Sequence, residues 1–316
     1  MKRTTFLAAA AGAVSAGFAV RPVRASEADI ALSTPTGTIM GTLVIPSKML
    51  PPVVLIVAGS GPTDRNGNNS LGIGANAYGL LAEALAQRGV GSLRYDKRGI
   101  GKSAMSGLSE SDVRFETLAD DAAEWIRWLR ADGRMSKIVV AGHSEGSLLG
   151  MLALQRAKGD AFVSLEGAGR PAPVVLREQI ARNAPQYSAE SDAVIAQLAA
   201  GHTVSDPPPE LDALFRTSVQ PYLISWFKYD PAVEFAKLRV PSTIVQGTAD
   251  VQITMDDARA LQRTNTSAKL VVVDGMNHVL KYAPDTSTPA AIAKGYEDPA
   301  LPVDPHAIDA VYEAAA

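Results

Sequence analysis

Short apolar runs alternate with stretches of helical periodicity along most of the chain. Val53–Ala58 (VVLIVA) is apolar at every position, as a strand covered on both faces should be. Gly91–Tyr95, Lys137–Ala141, Ala161–Leu165, Ser242–Gln246 and Lys269–Val273 read as further strands. Helical patterns fall between them, over Ala77–Arg88, Phe115–Arg130, Glu145 to about Lys158, and near Met255–Arg263. In Phe115–Arg130 the residues Leu118, Ala122, Trp125, Ile126 and Leu129 share one face, so Trp125 and Trp128 read as packing groups. Strand–helix alternation of this kind predicts an α/β fold with a mostly parallel central sheet flanked by helices. Gly37–Pro46 is expected to form an antiparallel edge strand pair, and Ala307–Ala316 a terminal helix.

The alternation breaks from about residue 170 to 237. That stretch reads as helices punctuated by proline, including Pro207-Pro208-Pro209, and predicts a helical cap inserted before the last two strands. A cap there would sit over the carboxyl edge of the sheet, where open α/β sheets bind ligands. It carries Tyr222, Trp226 and Phe227, which either line a substrate pocket or pack the cap onto the sheet domain.

Residues 1–25 have a different character. Lys2 and Arg3 precede an apolar, alanine-rich run from Phe6 to Val20, and Val23 and Ala25 occupy the −3 and −1 positions of a cleavage site. This is the pattern of a secretory signal peptide cut after Ala25, with a folded domain over 26–316 and a periplasmic or secreted product. The run is shorter than the ~20 residues of a membrane span, so no stable membrane insertion is expected after its removal. Lys2 stands where a twin-arginine signal would carry arginine, which leaves the export route open.

Composition narrows the chemistry. The 316 residues are 47% hydrophobic and 20% charged, a globular balance, with a net charge of −3. Loss of Lys2, Arg3, Arg21 and Arg24 with the leader makes the remainder more acidic by four charges. No basic excess exists to hold a phosphate backbone, so nucleic acid is not an expected partner. The absence of cysteine excludes disulfides, cysteine nucleophiles and thiolate metal sites. Only His143, His202, His278 and His306 are available to a mechanism that needs histidine.

Gly142-His143-Ser144-Glu145-Gly146 lies between the strand KIVVA and a helix. A G-x-S-x-G in that context puts the serine on a sharp strand-to-helix turn, where its hydroxyl faces the cleft. A serine needs a base to become a nucleophile, and the base needs an orienting acid. Asp250 follows the strand ending at Gln246, and His278 follows the next strand, giving the order Ser144, Asp250, His278. Asp256, Asp257 and Asp274 are rivals for the acid: the first two sit where they would cap a helix, and Asp274 lies too near His278 in sequence. His143 reads as a packing or supporting residue. The backbone N–H of Glu145 and that of Ser60, or alternatively Gly61, are candidates for the oxyanion hole.

Two other motifs fail on inspection. Asp64–Ala75 lacks the glycine and glutamate of a calcium loop, since Asn69 and Ala75 stand there. Asp96–Ser103 ends in Gly-Lys-Ser but has Asp96 where a phosphate loop starts with glycine. No metal site and no cofactor is expected. The charged residues of both loops are expected to brace the site, with Asp64 and Arg65 as part of its wall.

The blocks GSGPTDRNGN (Gly59–Asn68), YDKRGIGKS (Tyr95–Ser103), GHSEG, QGTADVQI and GMNHVL resemble those of bacterial α/β-hydrolase-fold esterases of the serine-aminopeptidase-like branch. The blocks run in order across most of the chain but cover the cap poorly. The resemblance implies the triad Ser144, Asp250 and His278, and hydrolysis of small-molecule carboxylic esters through an acyl-enzyme. Ala58 stands where the His of a common His-Gly pair would precede the oxyanion position. The same triad would serve a peptidase, an aminopeptidase or an acyltransferase. The fold alone would also suit a non-catalytic binding protein. Oligomeric state is not legible.

Overall fold

The computed structural model describes residues 24–316, so the expected leader lies outside the described residues except for Arg24 and Ala25. The chain opens with β1 (Ala25–Thr34) and β2 (Gly37–Pro46), an antiparallel hairpin in register from Ala25 opposite Pro46 to Thr34 opposite Gly37. This corrects the expectation that Gly37–Pro46 holds a strand pair. That segment is one strand, and its partner is the segment before it. β1 is exposed along most of its length, and only Ile30 and Leu32 pack against the core. It therefore carries too little apolar signal to be read as a strand.

The next elements are β3 (Val53–Val57), α1 (Ala77–Gln87), β4 (Gly91–Tyr95), β5 (Ala104–Met105), α2 (Phe115–Asp132), β6 (Ile138–His143), α3 (Glu145–Arg156) and β7 (Ala161–Leu165). An insertion of five helices comes next: α4 (Ala172–Asn183), α5 (Ser188–Ala199), α6 (Asp212–Phe215), α7 (Gln220–Trp226) and α8 (Pro231–Ala236). The chain ends with β8 (Ser242–Gly247), α9 (Met255–Thr264), β9 (Lys269–Val273), α10 (Pro289–Glu297) and α11 (Pro305–Ala315). The strands lie in the order β1-β2-β4-β3-β6-β7-β8-β9, with β5 beside β2. Pairing is antiparallel from β1 to β4 and parallel from there to β9.

Alternation along the strands divides the core in two. Val53, Leu55 and Val57 face one cluster with Phe115, Trp125 and Leu149, covered by α2, α3 and α9. Val54 and Ile56 face the other with Leu81, Leu85 and Val311, covered by α1 and α11. The inserted helices keep a small core of their own around Ile195, Leu198, Phe215 and Leu223. From β3 the strand order runs outward to β4 on one side and β6 on the other. The loops after β3 and β6 thus part at a topological switch point, the place where such sheets build their sites.

Candidate active site

Ser144 occupies the turn between β6 and α3 at φ 54°, ψ −123°. A left-handed φ is costly for a residue with a Cβ, and such strain persists only where the surroundings enforce it. Here they do. A Cβ on Gly146 would drive into the carbonyl oxygen of Val57, and one on Gly142 into that of Gly146. The two glycines allow the turn to lie flat against β3. Ser144 stands at the N-cap of α3, where serine commonly spends its hydroxyl on the helix, yet its side chain makes no capping bond. The hydroxyl is left for other work.

The other two predicted residues meet close to the elbow, where the rings of His278 and of His143, the neighbour of Ser144, lie 4.8 Å apart. His278 Nδ1 and Asp250 Oδ2 are 2.7 Å apart, and neither side chain has appreciable solvent exposure. The carboxylate can only accept, so Nδ1–H donates to it, and Nε2 carries the lone pair of a base. The other oxygen of Asp250 accepts from the amides of Gln252 (2.6 Å) and Ile253 (3.0 Å). Burial alone would push Asp250 up. The adjacent His278 and its hydrogen bond, with a further bond from Glu166 and the Ile253 amide, hold it below the usual carboxylate range. The rivals are engaged elsewhere. Asp257 forms a capping box with Thr254 and an ion pair with Arg170, Asp256 pairs with Arg259, and Asp274 accepts from Thr248.

His143 links three loops. Its Nε2 lies 2.6 Å from the carbonyl oxygen of His278, which can only accept, so Nε2–H donates. Its Nδ1 then accepts from the Tyr78 hydroxyl at 2.7 Å, and that hydroxyl accepts from the Gly59 amide at 3.2 Å. Burial, together with the charge of His278, pushes His143 down to about 3, so its ring is neutral at ordinary pH. This bears out the supporting role expected of His143. Tyr78 was not legible: it is an ordinary apolar-face residue of α1, and its partners are distant in sequence.

Glu166 is the second residue that sequence reasoning missed. It follows β7 directly, at φ 49°, and is fully buried. Its carboxyl group accepts from the Gly247 amide (2.7 Å) and Gln246 Nε2 (2.5 Å), and it is hydrogen-bonded to Asp250. Burial, and then the charge of Asp250, raise Glu166 well above the usual range. That favours the protonated carboxyl group, a form that can donate to Asp250. The only signal in the sequence is an acid just past a strand end, the position that singled out Asp250.

The predicted oxyanion donors lie at the switch point. A Cβ on Gly59 would sit 3.1 Å from the Ser144 Cβ, so the Gly59–Ser60 backbone passes directly against the serine. Among the described residues no acceptor pairs with the Ser60 N–H. Glu145 is the first residue of α3, where amides lack partners within the helix. Its side chain turns to Lys97 at 3.4 Å, and Lys97 also donates to the Gly59 carbonyl at 2.6 Å. The loop charges do brace this region. Asp96 holds the Arg65 guanidinium and amide, each at 2.8 Å, and Arg98 grips Asp121 with two bonds of 2.6 Å. Asp64 accepts from the amides of Asn66 and Asn68 and shapes its own loop.

The cap residues fall into the packing between layers. Trp226 stacks on Phe115 with ring centres 5.6 Å apart and planes 4° apart, and Tyr222 lies 5.9 Å from the same ring. The buried Tyr222 hydroxyl faces Glu145; burial, with that charge, raises it well above its ordinary range. Phe227 packs within the cap's own core. Among the described residues no group of three or more acidic or histidine side chains has metal-holding geometry.

A mostly parallel sheet with a serine on a strand–turn–helix elbow, and an acid–histidine pair after the last two strands, is the architecture of the α/β hydrolases. Residues 71–316 match the family described as serine aminopeptidase, S33, and the chain belongs to that family. It is 26% identical over 275 residues to the esterase EstD of Thermotoga maritima, an alignment covering 82% of this chain. The chain spans 62% of the length of that relative. Among solved structures it is similar to Est1E from Butyrivibrio proteoclasticus, with a TM-score of 0.56 at 19% identity, covering 84% of this chain and 96% of that one. The Pyrococcus furiosus esterase Pf2001 gives a TM-score of 0.55 at 16% identity, over 80% and 84% of the two chains. Both likenesses concern the fold.

Proposed function

We propose that this protein is a serine esterase that hydrolyses small carboxylic esters through an acyl-enzyme on Ser144. The observation that carries this is the buried His278–Asp250 pair, packed on His143 next to the strained Ser144, with a histidine Nε2 that makes no hydrogen bond among the described residues. In this reading His278 takes the proton of Ser144 as the hydroxyl attacks the carbonyl carbon. The tetrahedral oxyanion is held by the amides of Ser60 and Glu145. His278 returns the proton to the departing alcohol. It then activates the water that releases the acid and frees Ser144. Asp250 keeps the imidazole in its tautomer and stabilises its charged form.

The esterase relative supports an ester substrate, and the family description raises aminopeptidase activity as a second reading. An aminopeptidase needs an anion for the substrate's ammonium group. Glu145, the acid beside the nucleophile, is already turned to Lys97. The aromatic packing of Tyr222 and Trp226 against Phe115 takes up apolar space under the cap, which favours acyl groups of short to medium length. The leader pattern supports export to the periplasm or medium.

The deciding measurement is the initial rate of residues 26–316 on p-nitrophenyl esters from acetate to long chains, with aminoacyl p-nitroanilides alongside. Ester turnover that peaks at short or medium chains and disappears in Ser144→Ala is the expected result. Turnover of the anilides alone would establish the peptidase. A wild-type protein that neither turns over these substrates nor reacts with a fluorophosphonate at Ser144 would remove the enzyme reading altogether.

A further inference from the structure

Lys97 is buried at the end of β4, a strand that flanks β3. Its ammonium donates to the Gly59 carbonyl oxygen at 2.6 Å and lies 3.4 Å from Glu145 Oε1. It thereby joins the Gly59–Ser60 turn, which passes against Ser144, to Glu145, the residue that follows the serine. No peptide bond among the described residues is cis. In a trans peptide the C=O and the following N–H point in opposite directions within one plane. Whatever fixes the Gly59 carbonyl also aims the Ser60 N–H. Tyr78 holds the same residue from its amide side.

We propose that Lys97 is a positioning residue for the oxyanion hole, clamping the Gly59–Ser60 peptide so that its N–H faces the reacting carbonyl. The inference rests on the serine-hydrolase reading above. The short bond goes to a carbonyl, and the ion pair is the longer contact, which is the wrong way round for a lysine kept mainly for its salt bridge. A buried pair adds little net stability in any case. A cation on the carbonyl oxygen also withdraws charge from the peptide and makes its N–H a stronger donor, an effect that is greatest in a water-poor site. Asp96, the neighbouring residue, is locked by Arg65 and by the Lys102 amide, so the segment presenting Lys97 is rigid.

The test uses Lys97→Met and the double variant Lys97→Met/Glu145→Gln, which leaves no unpaired buried charge if the single variant fails to fold. Loss of an oxyanion donor costs ~10²–10³ in kcat, so loss of its alignment should lower kcat roughly 10- to 100-fold. KM for a short p-nitrophenyl ester should change little. Affinity for a phenylboronic acid, whose tetrahedral adduct places an oxygen in the hole, should fall by the same factor as kcat. A folded variant with wild-type kcat would overturn the proposal. So would a fall in kcat with boronate affinity unchanged, or one matched by a rise in KM, because either marks a general structural role. Failure of the underlying reading is distinguishable: the wild type itself would then show no Ser144-dependent turnover, and both conclusions would fall together.

Discussion

Glu166 and Asp250 set two carboxyl groups in hydrogen-bond contact where neither side chain reaches solvent. Two such groups resist ionising together without a cation between them, and burial with the charge of Asp250 favours the proton on Glu166. The proton gives Asp250 one more donor and steadies it as a carboxylate facing His278. Tyr296, His143 and His278 are the other titratable groups close to the pair. None of them supplies a permanent positive charge.

The cost of that proton depends on pH. Glu166 has a raised value in the folded state, so its contribution is fully present below the unfolded value of about 4.3 and is lost as pH rises toward the folded one. Glu166→Gln keeps a neutral donor of similar shape and carries no such dependence. Its stability should gain on that of the wild type as pH is raised from 5 to 8, by at most about 1.4 kcal/mol per pH unit, and its melting temperature should rise with it. Parallel melts at the two values check this. A constant difference between the proteins would mean that Glu166 is ionised.

His143 predicts the opposite slope. Its folded value of about 3 lies below the ordinary 6.5, so its contribution is complete above 6.5 and is lost as pH falls toward 3. The neutral ring donates from Nε2 to the His278 carbonyl and accepts at Nδ1 from the Tyr78 hydroxyl. The wild type should lose up to about 1.4 kcal/mol per unit through this group alone. His143→Asn should show a shallower acid slope in denaturant titrations between pH 6.5 and 4. It should also have lower kcat, because the loop carrying His278 loses its tie to the elbow. Equal slopes would assign the acid sensitivity to other groups.

Ser144 holds a strained backbone, and strain of this type costs about 1–3 kcal/mol. Glycine tolerates it without a Cβ penalty. Ser144→Gly should therefore melt higher than Ser144→Ala, although both lack the hydroxyl and both should be inactive. Calorimetry on the two variants is the check. A lower melting temperature for the glycine variant would show that the turn is not under strain.

Much of this molecule could be read from its sequence, for physical reasons that differ by element. The parallel strands were legible because burial on both faces makes them apolar at every position, as in Val53–Val57. The serine, acid and histidine were legible because each follows a strand end, and strand ends converge at one edge of the sheet. β1 was not, because an exposed edge strand needs no apolar alternation. Tyr78, Lys97 and Glu166 stayed hidden because their roles come from partners far along the chain. Lys97 and Gly59 are neighbours only once β3 and β4 pair. The charges of the Asp96–Ser103 loop were rightly expected to brace the site, but nothing in that sequence could say which carbonyl the lysine holds.

The five inserted helices leave the sheet at the end of β7 and return at β8, two strands paired side by side. Departure and re-entry points are therefore neighbours, fixed by a ladder that the insertion does not help to build. Ser144 lies upstream of this excursion, and Asp250 and His278 downstream of it. The segment is nonetheless anchored, because Phe235 and Leu238 belong to the main core and Trp226 stacks on Phe115. Change confined to α5 and α6, whose Ile195, Leu198 and Phe215 pack in the cap's own core, leaves the β7–β8 ladder and the ends of β6, β8 and β9 in place.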